Sequence, residues 1–412
     1  MTTEILPFVS VQADWDQVVR EVASNTIPSG SFWIACYLKG KESVQGSVEV
    51  NRTKDYEITL EGKDDVVVTN LNSRAFKVEC PKLGIKDITV YSSKQEFSLI
   101  KDKPVNCLDI SPNGQLFAAS HESKASIGSI MDGNISTVLE GHVSDVTTVE
   151  FFPSNLVVLT GGADFQLKIW SVLDGSNPVT LKGHTSAITN TAIISKGRNV
   201  LSSSRDGTIK LWNCGTSSTI TTMGNYKVPV NKIILTQLPS QYEAAPIETL
   251  DPMEVETSDK LVLAALDDGS VRGIHLGTKE EIFAIPTNGI PLTAIAFDQE
   301  TEIIFIGNKD GFMLAYSLKE QKIVSQWKRN GYMITSIVIM LNKNGEKILC
   351  ISSADGSVYQ TASLTNTKIQ VEAELTGNEL EAVYDMKLVP TKHESGYQRV
   401  ACAVRDGKIR IY

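Results

Sequence analysis

At 412 residues the chain exceeds the usual single-domain size, so several domains or one repeat architecture must bury its core. Its 42% hydrophobic and 21% charged residues exclude a disordered or fibrous chain. The net charge of -9 disfavours a surface that tracks phosphates along nucleic acid, and suits a basic partner surface better.

The first 95 residues carry no internal repeat. "MTTEILPFVS" lacks a basic region followed by an apolar one, so no secretory leader is expected. "ADWDQVVREVA" places Trp15, Val18, Val19 and Val22 at helical spacing, and Asp14 and Gln17 stand three apart like a capping box. A short amphipathic helix is predicted there, docked onto its own domain. The stretches "SFWIACYLKG", "GSVEV", "YEITLE", "DVVVTNL" and "AFKVECP" alternate like strands. Residues 1–95 therefore read as a small α+β or β-rich N-terminal domain, and 96–412 as a second, repeat-built domain.

That second unit is periodic. The strings "GGADFQLKIW", "SSSRDGTIKLW", "LDDGSVRGI", "NKDGFMLAY", "SADGSVYQT" and "VRDGKIRIY" share one pattern, with aspartates at 164, 206, 268, 310, 355 and 406. The steps are 42, 62, 42, 45 and 51, and one further step of 42 backwards lands on Glu122. Seven units result. A period of roughly 40–45 residues is the mark of a propeller array, in which no unit buries its face alone. Within a unit the hydrophobic period is two, Asp-Gly or Asp-Phe supplies a hairpin turn, and an apolar run such as "VTTVEFFP" opens the unit. Each unit should form four short antiparallel strands, giving an all-β, seven-bladed propeller.

The second and third units add a sharper constellation. His142 and His184 each precede the repeat Asp (Asp164, Asp206) by 22 residues. Each Asp follows a hydroxyl (Thr160, Ser202) by four and precedes an indole (Trp170, Trp212) by six. These four groups can form a buried hydrogen-bond chain from the loop leading into a blade to its third strand. Ser, His and Asp are also the residues of a catalytic triad. Recurrence in two successive units argues for scaffold, because no enzyme needs its nucleophile twice. Elsewhere the Trp position holds Gly128, Ile274, Tyr316, Thr361 and Tyr412, so the tetrad is lost there while turn and alternation persist.

The long step of 62 contains "TQLPSQYEAAPIETLDPMEVETSD" (236–259), with six acidic residues, no basic one and three Pro. It is expected to be a flexible, solvated loop between the first two strands of the fourth unit, on the face opposite the Asp turns. The longest strongly apolar stretch, "ITSIVIML" (Ile334 to Leu341), is too short for the roughly 20 residues that cross a bilayer, so no membrane partner is expected. The chain stops at Tyr412 after the third strand of the seventh unit. "EFSLI" (96–100) stands where it can pair with 408–412 and close the ring, removing an exposed edge.

No chemistry-bearing motif appears: there is no P-loop, G-x-S-x-G or H-E-x-x-H, the six cysteines lie far apart, and the five histidines are dispersed. No enzyme, cofactor or metal is expected, and cytosol, nucleus or both follow by default. "GH" at His142 and His184 with "IW" and "LW" resembles the WD repeat, where these four residues are structural. "GRNVLSSSRDGT", "LKIWSVLDGS", "LEGHVSDV" and "ADWDQVVR" are similar to the proteasomal ATPase-associated factor family, most strongly from about 137 to 216. That resemblance implies a small N-terminal domain, a seven-bladed propeller, and an assembly chaperone of the proteasome regulatory particle. It further implies binding to the C-terminal domain of a proteasomal ATPase subunit. A substrate receptor of a cullin-type ubiquitin ligase is the alternative; such receptors often carry Trp-Asp-x-Arg, whereas "WSVL" and "WNCG" here lack the Arg.

In a propeller, the Asp turns and the loops leading into each blade converge on one face. The candidate partner-binding residues there are Asp145, Arg205, Asp267, Lys309, Glu379, Glu381 and Arg405, on a chain expected to be a monomer. Their mixed charges suit electrostatic steering of a protein partner rather than nucleic acid.

Overall fold

The computed structural model describes residues 2–100, 103–242, 251–364, 368–378, 380–390 and 398–412. Seven blades of four antiparallel strands make the ring, as the seven-fold spacing requires; the sheets of the fifth and sixth are extended by further strands, and the seventh takes its fourth strand from ahead of the first. The first blade runs Leu108–Ile110, Leu116–His121, Lys124–Ser129 and Ile135–Glu140. The innermost strand of each blade touches the next, and Val383–Val389 of the seventh touches Leu108–Ile110 of the first. The ring is closed.

Closure uses the early strand. Gln95–Ser98 pairs antiparallel with Lys408–Ile411, matching Lys408 with Ser98 and Ile411 with Gln95. The pairing expected from sequence is present, one residue earlier than the 96–100 expected.

The turn residue after each repeat Asp explains the recurring glycine. Gly207, Gly269, Gly311, Gly356 and Gly407 hold φ between 77° and 91°, a left-handed conformation that a Cβ disfavours. At Gly407 an added Cβ would also lie 2.2 Å from the Ile100 carbonyl oxygen.

Apolar side chains from facing sheets fill the spaces between blades; Ile127 and Leu139 of the first blade share a cluster with Val149 and Trp170 of the second. Polar side chains near the axis tie blade to blade. Thr147 Oγ1 donates to Ile188 O (2.7 Å), Asn231 Nδ2 to Leu292 O (2.9 Å) and Thr293 Oγ1 to Ile334 O (2.6 Å), each crossing to the next blade. On the innermost strands of the first three blades Asp109, Glu150 and Asn190 accept the backbone N–H of Phe151, Ile193 and Ile233, again one blade on. Asp385 accepts from Leu108 across the closure. Thr147, Asn231 and Thr293 thus satisfy backbone acceptors, and Asp109, Glu150, Asn190 and Asp385 backbone donors, of the neighbouring blade.

The N-terminal residues pack against the ring. Phe8–Val11, Ser29–Tyr37, Val44–Arg52 and Ile58–Gly62 form one sheet. Glu4–Ile5 adds a parallel strand to the outer edge of blade 5, and Ile85–Tyr91 adds one to blade 6, extending it to a mixed sheet of seven. One apolar core runs through Val19, Phe32 and Phe76 into Trp327, Leu349 and Tyr359 of blades 5 and 6. A buried ion pair, Arg329 with Glu374, lies on this seam; Glu374 also accepts the Val9 N–H.

The helix occupies Trp15–Ala23 and buries Trp15, Val19 and Val22. Its capping box does not form: Asp14 makes no cap bond and accepts from Gln12, while Gln17 turns to Glu21. The helix docks on its own sheet, and Trp15 Nε1 also donates to Thr376 Oγ1 beyond blade 6, at 2.9 Å.

Over its described parts the acidic insertion is not the free, solvated loop expected from its composition. Val230–Gln237 is strand to its last residue. Residues 251–259 pack under blade 3: Met253 O accepts from Asn199 and Asn213, Val255 N donates to Asn199, and Thr257 is buried. Glu254 pairs with Lys279 at 2.6 Å. The acidity at this end thus serves an internal contact and not solvation alone. Residues 243–250 lie outside the described residues.

Candidate functional site

The two tetrads are assembled as hydrogen-bond chains. In blade 2, Trp170 Nε1 donates to Thr160 Oγ1 (2.7 Å), which meets His142 Nε2 (2.7 Å), and Nδ1 faces Asp164 at 2.9 Å. In blade 3 the corresponding distances through Ser202, His184 and Asp206 are each 2.8 Å. Burial first, opposed by the carboxylate, holds both imidazoles below the ordinary histidine range. A neutral ring with its proton on Nδ1 fits every contact: the carboxylate accepts that proton and Nε2 accepts from the hydroxyl.

Asp206 carries the turn as well. Burial alone would raise its pKa, yet the Thr208 hydroxyl, the Thr185 N–H and His184 outweigh burial and bring it to about 2. The Ser202 hydroxyl is buried and committed to two partners, so it has no access to a substrate. These residues hold the blade together.

In blade 7, where sequence reading finds the tetrad lost, a different chain takes its place. Tyr412, at the Trp position, donates through its hydroxyl to Thr376 O (2.7 Å) and accepts from Asn378 Nδ2 (2.9 Å). Arg410 joins Asn378 Oδ1, Asp406 and Glu96. The third strand is again fastened to the loop that leads into the blade. The signal was present in "GN" and "RIY", but no spacing rule links those residue types.

The candidate partner-binding residues stand around the face that carries the Asp turns. Asp145 and Arg205 are exposed and line one recess of about 530 Å³ at the mouth of the central channel, together with Lys232, Asp385 and Lys387. Asp267 and Lys309 are exposed in the turns of blades 4 and 5, and Asp267 accepts from Asn231 at 3.1 Å. Arg405 and Glu381 are each other's partner at 2.9 Å, an exposed pair that adds little to stability. They offer a partner a neutralised couple rather than two free charges. Glu379 lies outside the described residues.

Deeper in the channel the charges are committed. Burial first and Asp109 second push Glu150 up to about 6, and burial raises Asp109 despite Lys387. Lys387 stands above the usual lysine range: burial opposes this, and Asp109, Asp385 and Glu150 outweigh it. These carboxylates bind backbone donors across blade seams, which makes the channel a structural feature.

Sequence reading missed the apolar members of the same face. Val143 (86% exposed) follows His142, Tyr332 and Leu380 (83%) sit in the loops before blades 6 and 7, and Phe165 replaces the turn glycine of blade 2. Phe165 holds φ 68° with a partly exposed ring. A residue with a Cβ held in the left-handed region, where five other blades carry glycine, is a costly choice for a turn. The departure from Asp-Gly to Asp-Phe was the available sign.

Among the described residues no cluster of three His, Cys, Asp or Glu is placed to hold a metal, and no helix is long and apolar enough to cross a membrane. The family described as "WD domain, G-beta repeat" matches residues 94–127, 133–171 and 175–213. A protein named proteasomal ATPase-associated factor 1 from Homo sapiens is 33% identical over 155 residues, covering 35% of this chain and 36% of its own length. The Bos taurus protein of that name is 32% identical over 152 residues, 35% of either chain. A probable proteasomal ATPase-associated factor 1 from Dictyostelium discoideum is 32% identical over 438 residues, covering 100% of this chain and 98% of its own. The chain belongs to the proteasomal ATPase-associated factor 1 family. Against the mammalian relatives the matched stretch spans about a third of their length, and the matched residues of the WD family centre on the blades that keep the tetrad or stand next to it.

Proposed function

We propose that the protein is a non-enzymatic assembly chaperone of the proteasome regulatory particle, monomeric, and working in the cytoplasm, the nucleus or both. It binds the C-terminal domain of one proteasomal ATPase subunit through the face that carries the Asp turns. The likeness along the whole chain to a relative named for association with proteasomal ATPases carries this reading. The face supports it physically: exposed charges of both signs at Asp145, Arg205, Asp267 and Lys309 surround exposed Val143, Phe165, Tyr332 and Leu380. Apolar anchors within a charged rim are the anatomy of a protein interface, with charge setting orientation and on-rate.

The test is binding of purified ATPase C-terminal domains to wild type and to a Phe165→Gly, Asp145→Arg variant. The variant should keep its melting temperature and lose at least about tenfold in affinity for one of the domains. Equal binding by variant and wild type to every domain would remove this face from the reading.

A further inference from the structure

Three large apolar side chains stand exposed on the face opposite the Asp turns. Leu156 (68%) lies in the turn between the first two strands of blade 2, and Met131 (86%) and Leu173 (90%) lie in the turns between the third and fourth strands of blades 1 and 2. Antiparallel strands place both kinds of turn at the end away from the Asp turn, which joins the second strand to the third. Hydrogen bonds across the seam hold these turns together: Thr137 Oγ1 donates to Val172 O and Asn113 N to Asn155 Oδ1, each at 2.9 Å. Exposed Ile135 and Val138 continue the apolar surface along the outer strand of blade 1.

The other blades show that the fold does not require these side chains. In blades 1 to 5 the N–H two residues after the Trp position bonds a carbonyl at the start of the second strand, which sets the turns in register with one another. Where blade 2 has Leu156, blades 1, 3, 4 and 5 have Gln115, Arg198, Lys260 and Glu302. Where blades 1 and 2 have Met131 and Leu173, blades 3, 4 and 5 have Gly215, Gly277 and Lys319. A large apolar side chain left in water forgoes the gain of burial, and several side by side mark a surface that meets another one.

Charge selects the occupant. Asp132 and Asp174 are exposed, each directly follows one of the apolar residues, and no Lys or Arg stands in 129–138, 153–157 or 171–177. The Ser129 hydroxyl beside Asp132 and the Ser171 hydroxyl beside Asp174, with turn N–H groups, hold both carboxyls below the usual aspartate range, so both are ionised near neutral pH. Two copies of the chain meeting through this patch set these carboxylates against each other, and an anionic lipid surface meets the same repulsion. A cationic partner meets attraction.

We propose that this patch docks a basic amphipathic segment of another protein, with the segment's apolar side chains on Met131, Leu156 and Leu173 and its Lys or Arg side chains beside Asp132 and Asp174. An apolar centre within a charged rim suits an amphipathic helix, which presents both along one side. The surface is distinct from the Asp-turn face, so occupancy of one leaves the other open.

Fluorescence anisotropy of a labelled helical peptide, Leu on one face and Lys on its flanks, titrated with the full chain, tests the docking site. Saturable binding is expected, at least about tenfold tighter than for a peptide of the same composition in scrambled order. The Leu156→Arg, Leu173→Lys variant carries the residue types that blades 3 and 5 hold at these positions, so it should keep its melting temperature and lose at least about tenfold in affinity. Met131→Lys alone should lose a smaller factor, and it carries the test if the double variant fails to fold. The Phe165→Gly, Asp145→Arg variant, altered on the Asp-turn face, should bind the peptide as wild type does. Absence of saturable binding, equal affinity for the scrambled peptide or for one with Glu on its flanks, or equal affinity of the patch variants would overturn the proposal. So would a dimer in sedimentation that the Leu156→Arg, Leu173→Lys variant dissolves, because it assigns the patch to a second copy.

Discussion

Blades 2 and 3 are fastened from within, whereas blades 5 and 6 are fastened from outside. In the former, a chain of indole, hydroxyl, imidazole and carboxylate links the third strand to the loop leading into the blade. In the latter, the Trp positions hold Tyr316 and Thr361, and Glu4–Ile5 and Ile85–Tyr91 pair along the outer edges instead. Blade 7 shows a third solution, with the Tyr412 and Arg410 chain inside and Gln95–Ser98 outside. Blade 4, which also lacks the tetrad, is contacted by Glu254 of its insertion through Lys279. A repeat can therefore drift from its consensus where another segment takes over the fastening.

Breaking the internal fastening should have the largest effect. Trp170→Ala or Trp212→Ala removes a fully buried indole and leaves a hydroxyl short of a partner, at a cost of roughly 3–5 kcal/mol. Calorimetric unfolding measures it, and a variant that melts like wild type while losing partner binding would make these residues part of the interface.

A smaller effect sharpens the comparison through pH. Asp206→Asn should cost roughly 1.5–3 kcal/mol near neutral pH, the range for a hydrogen-bonded charge. Because the folded carboxyl is held at about 2 against an ordinary 3.8, its contribution is present above 3.8 and is lost as pH falls through 2. The gap between wild type and Asp206→Asn, read from denaturant titrations, should thus narrow across that window. A gap of constant size would mean that the ionised form contributes nothing.

The contrast also explains what could be read from the sequence. Strand hairpins, tetrads and the closing strand follow from local alternation and fixed spacing, which are periodic and so legible. Pairing of Ile85–Tyr91 with Val371–Leu375 depends on two segments far apart in sequence, and neither states its partner. The order in residues 251–259 depends on Asn199 and Asn213 in another blade, so composition alone suggested a free loop. Asp109, Glu150 and Asn190 sit in apolar runs as apparent interruptions, although each meets a backbone donor one blade away. On the candidate face, charges before the repeat Asp were legible from position, while the pairing of Arg405 with Glu381 joins two loops 24 residues apart, and neither states its partner.

The central claim is that the N-terminal segment stabilises blades 5 and 6 in place of tetrads. Trp15 is fully buried in the shared core and bonds to Thr376, so Trp15→Ala loosens that segment without touching any propeller strand. Amide hydrogen exchange of this variant against wild type reads the consequence blade by blade. The account predicts faster exchange in Lys322–Lys328 and Val371–Leu375, with Gln166–Ser171 and Thr208–Asn213 still protected. Equal loss of protection in all blades, or loss first in blades 2 and 3, would contradict it.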